Sequence, residues 1–237
     1  MNGWQVSVII PVYCGEEFIA DALASIAAQT VPVREIIVID DGSTDKTAEI
    51  VKQYPADNWP AGIRYIYQEN RGPHHARNHG LQLAAGNAIA FLDADDTWRP
   101  GKLADQLPKL DNADVVIGRT VIMDATGGVP FVLPSLCCAL FRKSAFDRIG
   151  HFDPDLEFSD DMDWYLRARE NGLGIKLHGD VVLEHRRHGA NLTRDTDRKQ
   201  RFHLLMLHKS IMRRREKIAA SAPQLPCFNQ RESRKAS

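Results

Sequence analysis

The stretch VSVIIPVYCGEEFIADALASIAAQTVPVREIIVIDDGSTDKTAEIVKQY, residues 6–54, alternates twice between two hydrophobic patterns. Val6 to Tyr13 is an almost unbroken apolar run, which suits a buried parallel strand. Residues 16–29 then place Phe18, Ala22, Leu23, Ile26 and Ala27 at helical spacing. Glu35 to Ile39 is apolar again and runs into DDGSTD, where Gly42 permits a tight turn and Ser43 or Thr44 can cap a helix reaching about Tyr54. Strand, helix, strand, helix demands crossover connections. The expected class is therefore α/β, a mostly parallel sheet with helices on both faces.

Working outward, Ile63 to Tyr67 reads as a short strand, and Arg71-Gly72-Pro73 opens a helix through about Ala85. Asn87 to Leu92 is the next strand and ends in DADD, after which Pro100 suits the first turn of a helix to Leu110. Asp114 to Met123 is expected as a strand leading to a Gly127-Gly128 turn. Residues 129–141 give no clear pattern. A helix from about Ser159 to Asn171 has acids in its first turn and Gly172 as its stop, and Val181 to Leu183 gives a last short strand.

Hydrophobic content of 43% and charged content of 26% fit a soluble globular protein, and a net charge of −1 speaks against general nucleic-acid binding. The charge is unevenly spread: residues 194–237 carry 12 Lys/Arg against 4 Asp/Glu, and residues 1–193 carry 18 against 27. Neither an export signal nor a membrane span is legible. Cys14, Cys137, Cys138 and Cys227 lack CxxC spacing and read as reduced thiols of a cytoplasmic protein.

The acids carry the chemistry. IIVIDDGSTD at 36–45 and IAFLDADD at 89–96 put carboxylates at the ends of two apolar runs, hence at one rim of the sheet. Such acids repel one another unless a cation sits among them, which points to a divalent metal holding a phosphorylated ligand. Asp93 and Asp95, two apart at a strand end, can lean to one face and bind Mg2+ or Mn2+ through hard oxygen ligands. FSDDMDWYLR at 158–167 supplies a third acidic cluster, at a helix start.

Four ordered blocks, VSVIIPVYCGEEFIADALASIAAQT, EIIVIDDGSTDKT, NRGPHHARNHGLQLAAGNAIAFLDADD and IGHFDPDLEFSDDMDWYLRARENG, resemble the family 2 glycosyltransferases of the GT-A fold, over residues 5–193. The resemblance implies a nucleotide-diphosphate sugar donor, UDP-linked ahead of GDP- or dTDP-linked, an inverting single displacement and a divalent cation. It implies that Asp41 accepts from the uracil imide, that Pro11 and Tyr13 line the base pocket, and that Arg77 lies close to the nucleotide. Asp93 would lean toward the ribose and Asp95 toward the metal, with Asp96 a second or substitute ligand. The family's Glu-Asp pair at a helix start appears as Asp160-Asp161, with Arg167 in the expected place and, like Asp160, on the acceptor side. Asp161 is then the general base. Asp160 is a shorter carboxylate than the family's Glu on the acceptor side, and His188 in HRRHGANLT would face the diphosphate or metal.

The chain has neither the Gln-x-x-Arg-Trp motif nor the spans of processive synthases, so one sugar added at a time to a saccharide or lipid-linked acceptor is expected. A sugar-phosphate nucleotidyltransferase would need a Gly-rich basic loop where CGEEF at 14–18 is acidic; a non-catalytic nucleotide-sugar-binding module would not need all the acids. The expected layout is a catalytic domain at 1–193, a basic amphipathic helix at 194–219 and a disordered tail at 220–237. Phe202, Leu205, Met206 and Leu207 lie near one face of that helix and Arg213, Arg214, Arg215 and Lys217 form a basic end. That face suits packing on the body or, as the rarer alternative, peripheral contact with the inner face of an anionic membrane.

Overall fold

The computed structural model describes residues 3–55, 59–123, 135–186 and 196–221, and in the last segment the side chains of 200–217. The expected Gly127-Gly128 turn, His188 and the segment from 222 onward lie outside the described residues. The first strands and helices follow the alternation in the sequence: β1 (Val6–Val12), α1 (Ile19–Ala27), β2 (Glu35–Asp40), α2 (Thr47–Gln53), β3 (Ile63–Tyr67), α3 (Pro73–Leu83) and β4 (Ala88–Phe91). There follow β5 (Thr97–Trp98), α4 (Lys102–Leu110), β6 (Val115–Met123), a 3-10 turn (Leu136–Cys138), β7 (Ala139–Arg142), α5 (Lys143–Ile149), α6 (Asp160–Glu170), β8 (Ile175–Arg186) and α7 (Thr196–Ser221).

One sheet of eight strands runs in the order β3-β2-β1-β4-β7-β6-β8-β5. The β3-β2-β1-β4 half is parallel throughout, and β7 enters antiparallel between β4 and β6. Every residue of β1, β2 and β4 is buried, as strands covered on both faces require. Helix α3 lies so close to β1 that a Cβ on Gly80 would come within 2.4 Å of the Ile9 side chain, so this crossing needs glycine. Beyond β4, Phe91, Phe141, Phe146, Phe152 and Trp164 meet edge-to-face or tilted, with ring centres 4.8–6.0 Å apart, and tie α5 and α6 to the sheet.

Three features differ from the sequence expectation. Helix α2 starts only at Thr47, whose N–H donates to Asp45 Oδ1 at 3.0 Å; the cap is thus Asp45 chemistry and not Ser43 or Thr44. Strand β8 covers twelve residues where three were expected. Its IKLHGDVVLEHR is mostly half-buried or exposed, with only Val182 and Leu183 buried, so the continuous apolar run of a buried strand is confined to Val181–Leu183. Helix α5 and the two-residue β5 were not anticipated, both being too short for a periodic pattern.

Candidate active site

Parallel pairing brings the carboxyl ends of β1, β2 and β4 to one rim: Val12 is level with Asp40, and Ile9 with Phe91. Open α/β sheets bind ligands at this rim. Asp40 is buried and receives hydrogen bonds from Ser43 N (2.7 Å) and Tyr65 Oη (2.5 Å), so it builds the turn. Asp41 is also buried and accepts from Gln68 Nε2 (2.7 Å), Arg71 N (3.0 Å) and Gly72 N (2.8 Å). It fastens the entry to α3, using three of a carboxylate's four acceptor positions within the described residues. Gly72 there has φ +93° and faces the His74 ring, a conformation and a space that favour glycine. Pro11 is buried in β1, while Tyr13 is 58% exposed at the mouth.

Arg77 joins two of the acidic clusters. Its Nη2 donates to Asp93 Oδ1 at 2.9 Å and its Nη1 to Asp160 Oδ2 at 3.2 Å, with the guanidinium almost wholly buried. Arg77 and Asp160, 83 residues apart in sequence, are thereby brought together, and Asp93 joins them at the same cation. Asp93 N donates to the Cys137 thiol at 3.3 Å, and carboxylate oxygens of Asp93 and Asp96 lie with Cys137 Sγ within 4.8 Å of one another. Asp95, in the same turn, is half-buried and is not one of those three.

Asp96 is buried and accepts from His185 Nδ1 (2.9 Å) and Arg186 N (3.1 Å) of β8. Burial pushes its carboxyl up to about 6 against the pull of the His185 hydrogen bond, and that same bond raises the His185 imidazole. A carboxyl raised chiefly by burial is one whose ionised form a bound cation would stabilise.

The first turn of α6 holds the third cluster. Asp161 is half-buried; burial first, then the neighbouring Asp160, push its carboxyl up to about 7, partly offset by Arg77. Burial also raises Asp160, against Arg77. Asp163 faces the other way, fully buried between Arg167 Nε at 2.7 Å and Arg213 Nη1 at 3.0 Å. All three nitrogens of Arg167 donate into the fold, to Asp163 Oδ2, Ile149 O and His151 O. The site thus gathers Asp93, Asp96, Arg77, Asp160 and Asp161, whereas Arg167 fixes the loop before α6.

Sequence reasoning missed His185 and the 3-10 turn carrying Cys137. Three successive carbonyls, two of that turn and the first of β7, are held by one segment: Trp98 Nε1 donates to Cys137 O (3.0 Å), Gln106 Nε2 to Cys138 O (2.8 Å) and Lys102 Nζ to Ala139 O (3.0 Å). Lys102 is fully buried, its Nζ bound to Gln106 Oε1 at 2.6 Å and 4.8 Å from the Trp98 ring centre, and burial drives its pKa down to about 7. Nothing in TWRPGKLADQ announces this, since a lysine in a helix is ordinarily solvated.

Residues 7–130 match the model of glycosyl transferase family 2. An uncharacterized glycosyltransferase of Rickettsia typhi is 33% identical over 215 residues, covering 79% of this chain and 65% of the relative. TuaG of Bacillus subtilis, named as a teichuronic acid biosynthesis glycosyltransferase, is 41% identical over 109 residues, 45% of this chain and 43% of its own. The chain spans less than two thirds of the length of these relatives. Among solved structures, Staphylococcus aureus TarS 1-349 in complex with UDP-GlcNAc has a TM-score of 0.74 at 23% identity, covering 86% of this chain and 66% of its own. The mannosyltransferase PcManGT of Pyrobaculum calidifontis, in complex with GDP-Man and Mn2+, scores 0.71 at 23% identity, covering 88% and 64%. These two likenesses establish the fold as GT-A. Since the family match takes in more than half of the chain and includes Asp41, Asp93, Asp95 and Asp96 of the rim, the chain belongs to glycosyl transferase family 2.

Proposed function

We propose that the chain transfers a single sugar, with inversion, from a nucleotide-diphosphate donor to a hydroxyl of a saccharide or lipid-linked acceptor. The observation that carries this reading is Asp161: a half-buried carboxyl with its pKa near 7, joined through Asp160 and Arg77 to the Asp93 rim. A general base works best when its pKa lies near the operating pH. In its ionised form Asp161 takes the proton of the acceptor hydroxyl as that oxygen attacks the anomeric carbon. Asp160, kept at Arg77, orients the acceptor side, and Tyr13 and Asp41 frame the base of the donor nucleotide.

The donor set fits a divalent cation: two carboxylates converge, and burial destabilises the ionised form of Asp96 in a way a cation would offset. Asp93 and Asp96 would hold the ion, with Asp95 of the same turn within the family's pattern. Burial and the nearby acids push the Cys137 thiol well up, so it stays protonated and is a poor ligand for a hard ion. Such an ion, when bound, supplies charge that stabilises the departing diphosphate. UDP-linked donors are the first choice, consistent with the UDP-GlcNAc complex of TarS, and the likeness to TuaG supports an envelope polysaccharide as acceptor.

A panel of nucleotide sugars tested by thermal shift, with and without Mn2+, checks the reading, since a ligand that binds only the native state raises the melting temperature. A UDP sugar that stabilises the chain in an Mn2+-dependent way, and is turned over with inverted anomeric configuration, is the expected result. Retention of configuration, or full turnover in excess chelator, would overturn the mechanism.

A further inference from the structure

Helix α7 has two apolar faces, and the body uses one. Phe202, Met206, Ser210 and Arg213 recur at intervals of three or four and meet the catalytic body. The Phe202 ring centre lies 5.9 Å from that of Phe158, Met206 is buried, and Ser210 Oγ donates to Glu170 Oε1 at 2.5 Å. Lys209 and Lys217 are likewise drawn to the body, by Asp153 and by the Glu170 carbonyl. This settles the inward face differently from the sequence reading, because Leu205 and Leu207 are not on it.

Leu204, Leu207 and Ile211, flanked by Leu205 and Met212, form a second stripe on the opposite side. Their exposure runs from 38% for Leu205 to 68% for Leu204. Beside the stripe stand the exposed Arg201 at its beginning and Arg214 and Arg215 at its end, with His203 and His208 between. Across residues 200–217 the helix holds one acid, Glu216. Five exposed aliphatic side chains on a single helix face are more than a solvated surface needs.

We propose that this outer face docks on an anionic lipid bilayer, with the five aliphatic side chains in the headgroup–acyl boundary and the three arginines on lipid phosphates. The helix would lie in the interface plane, and no described helix is long and apolar enough to cross a membrane. Charge decides against a second copy of the chain as occupant. Two such stripes laid together, parallel or antiparallel, bring arginines of one copy against arginines of the other at both ends, where like charges repel. Anionic headgroups instead complement every charge on the stripe, at roughly 1 kcal/mol for each Lys or Arg near the surface.

The inference is independent of the transfer reaction and is tested on the full chain by co-sedimentation with vesicles. Wild type is expected to bind vesicles of phosphatidylglycerol and phosphatidylcholine at low salt, and to bind pure phosphatidylcholine at least tenfold more weakly (~1.4 kcal/mol per decade). The double substitution Leu204→Glu with Ile211→Glu should abolish binding without changing the melting temperature, as both side chains are exposed. Arg214→Gln with Arg215→Gln should weaken it roughly thirty-fold. Absence of wild-type binding at low salt, or binding unchanged in the Leu204→Glu, Ile211→Glu variant, would overturn the proposal. So would light scattering that shows a wild-type dimer split by those same substitutions without vesicle binding.

Discussion

The two sides of helix α6 present carboxyls of one chemistry in opposite circumstances. On the side of α7, Asp163 is fully buried between two guanidinium groups, those of Arg167 and Arg213. On the side of the sheet rim, Asp160 shares Arg77 with Asp93, and Asp161, which forms no ion pair among the described residues, is pushed up to about 7 by burial and by Asp160. The difference is one of cation supply. Two arginines for one acid make an anchor; burial beside a second acid, with Arg77 already held by Asp93 and Asp160, leaves a carboxyl poised to exchange a proton near neutrality. Position at the helix start, which favours all three acids alike, does not distinguish them.

Exchanging the charge for its neutral isostere on each side should separate the two roles. Asp161→Asn is expected to lower turnover by roughly 10²–10⁴ with donor affinity and melting temperature nearly unchanged, read from steady-state kinetics and nucleotide binding. A collapse of donor affinity with turnover preserved would make Asp161 a nucleotide-site residue. Asp163→Asn should do the reverse, costing roughly 3–5 kcal/mol of stability because two arginines lose their buried partner, while turnover per folded molecule stays within a few-fold. Denaturant unfolding measures it, and a stability loss under 1 kcal/mol would deny the anchor role.

A smaller effect concerns the segment that holds Cys137 at the rim. Lys102 has its pKa lowered to about 7 by burial, so between pH 7 and the ordinary lysine range the unfolded chain binds more protons than the folded one. Stability contributed by this group therefore increases as pH rises from 7 toward 9, with a slope of at most about 1.4 kcal/mol per pH unit. Lys102→Met should flatten that part of the stability profile relative to wild type. An unchanged slope would show that the ammonium is not buried in solution.

The parallel half of the fold was legible because its strands are buried on both faces, so β1, β2 and β4 announce themselves as apolar runs with acids at their ends. Asp41 and Asp93 could be picked out for the same reason, and Asp161 through the family resemblance; the fold brings Asp93 and Asp161 to one cluster through Arg77 and Asp160. The other half hides its order. Strand β8 alternates irregularly around Gly179, with a register shift in its partner β6 between Ile117 and Thr120, and His185 reaches Asp96 from 89 residues away. Such pairing depends on tertiary packing and leaves no local period. Arg167 shows what the sequence left out: the family resemblance put it on the acceptor side, and in the fold its Nε donates to Asp163, four residues before it.

The pH dependence of kcat/KM for wild type against Asp161→Asn tests most directly whether the rim-side carboxyl of Asp161 is the base. Because a base must be ionised to act, wild-type activity should fall as pH drops through about 7, tenfold per unit well below it, and the residual activity of Asp161→Asn should lose that limb. A wild-type profile flat down to pH 5, or a limb near 7 that persists in Asp161→Asn, would contradict the assignment and send the search for the base elsewhere on the rim.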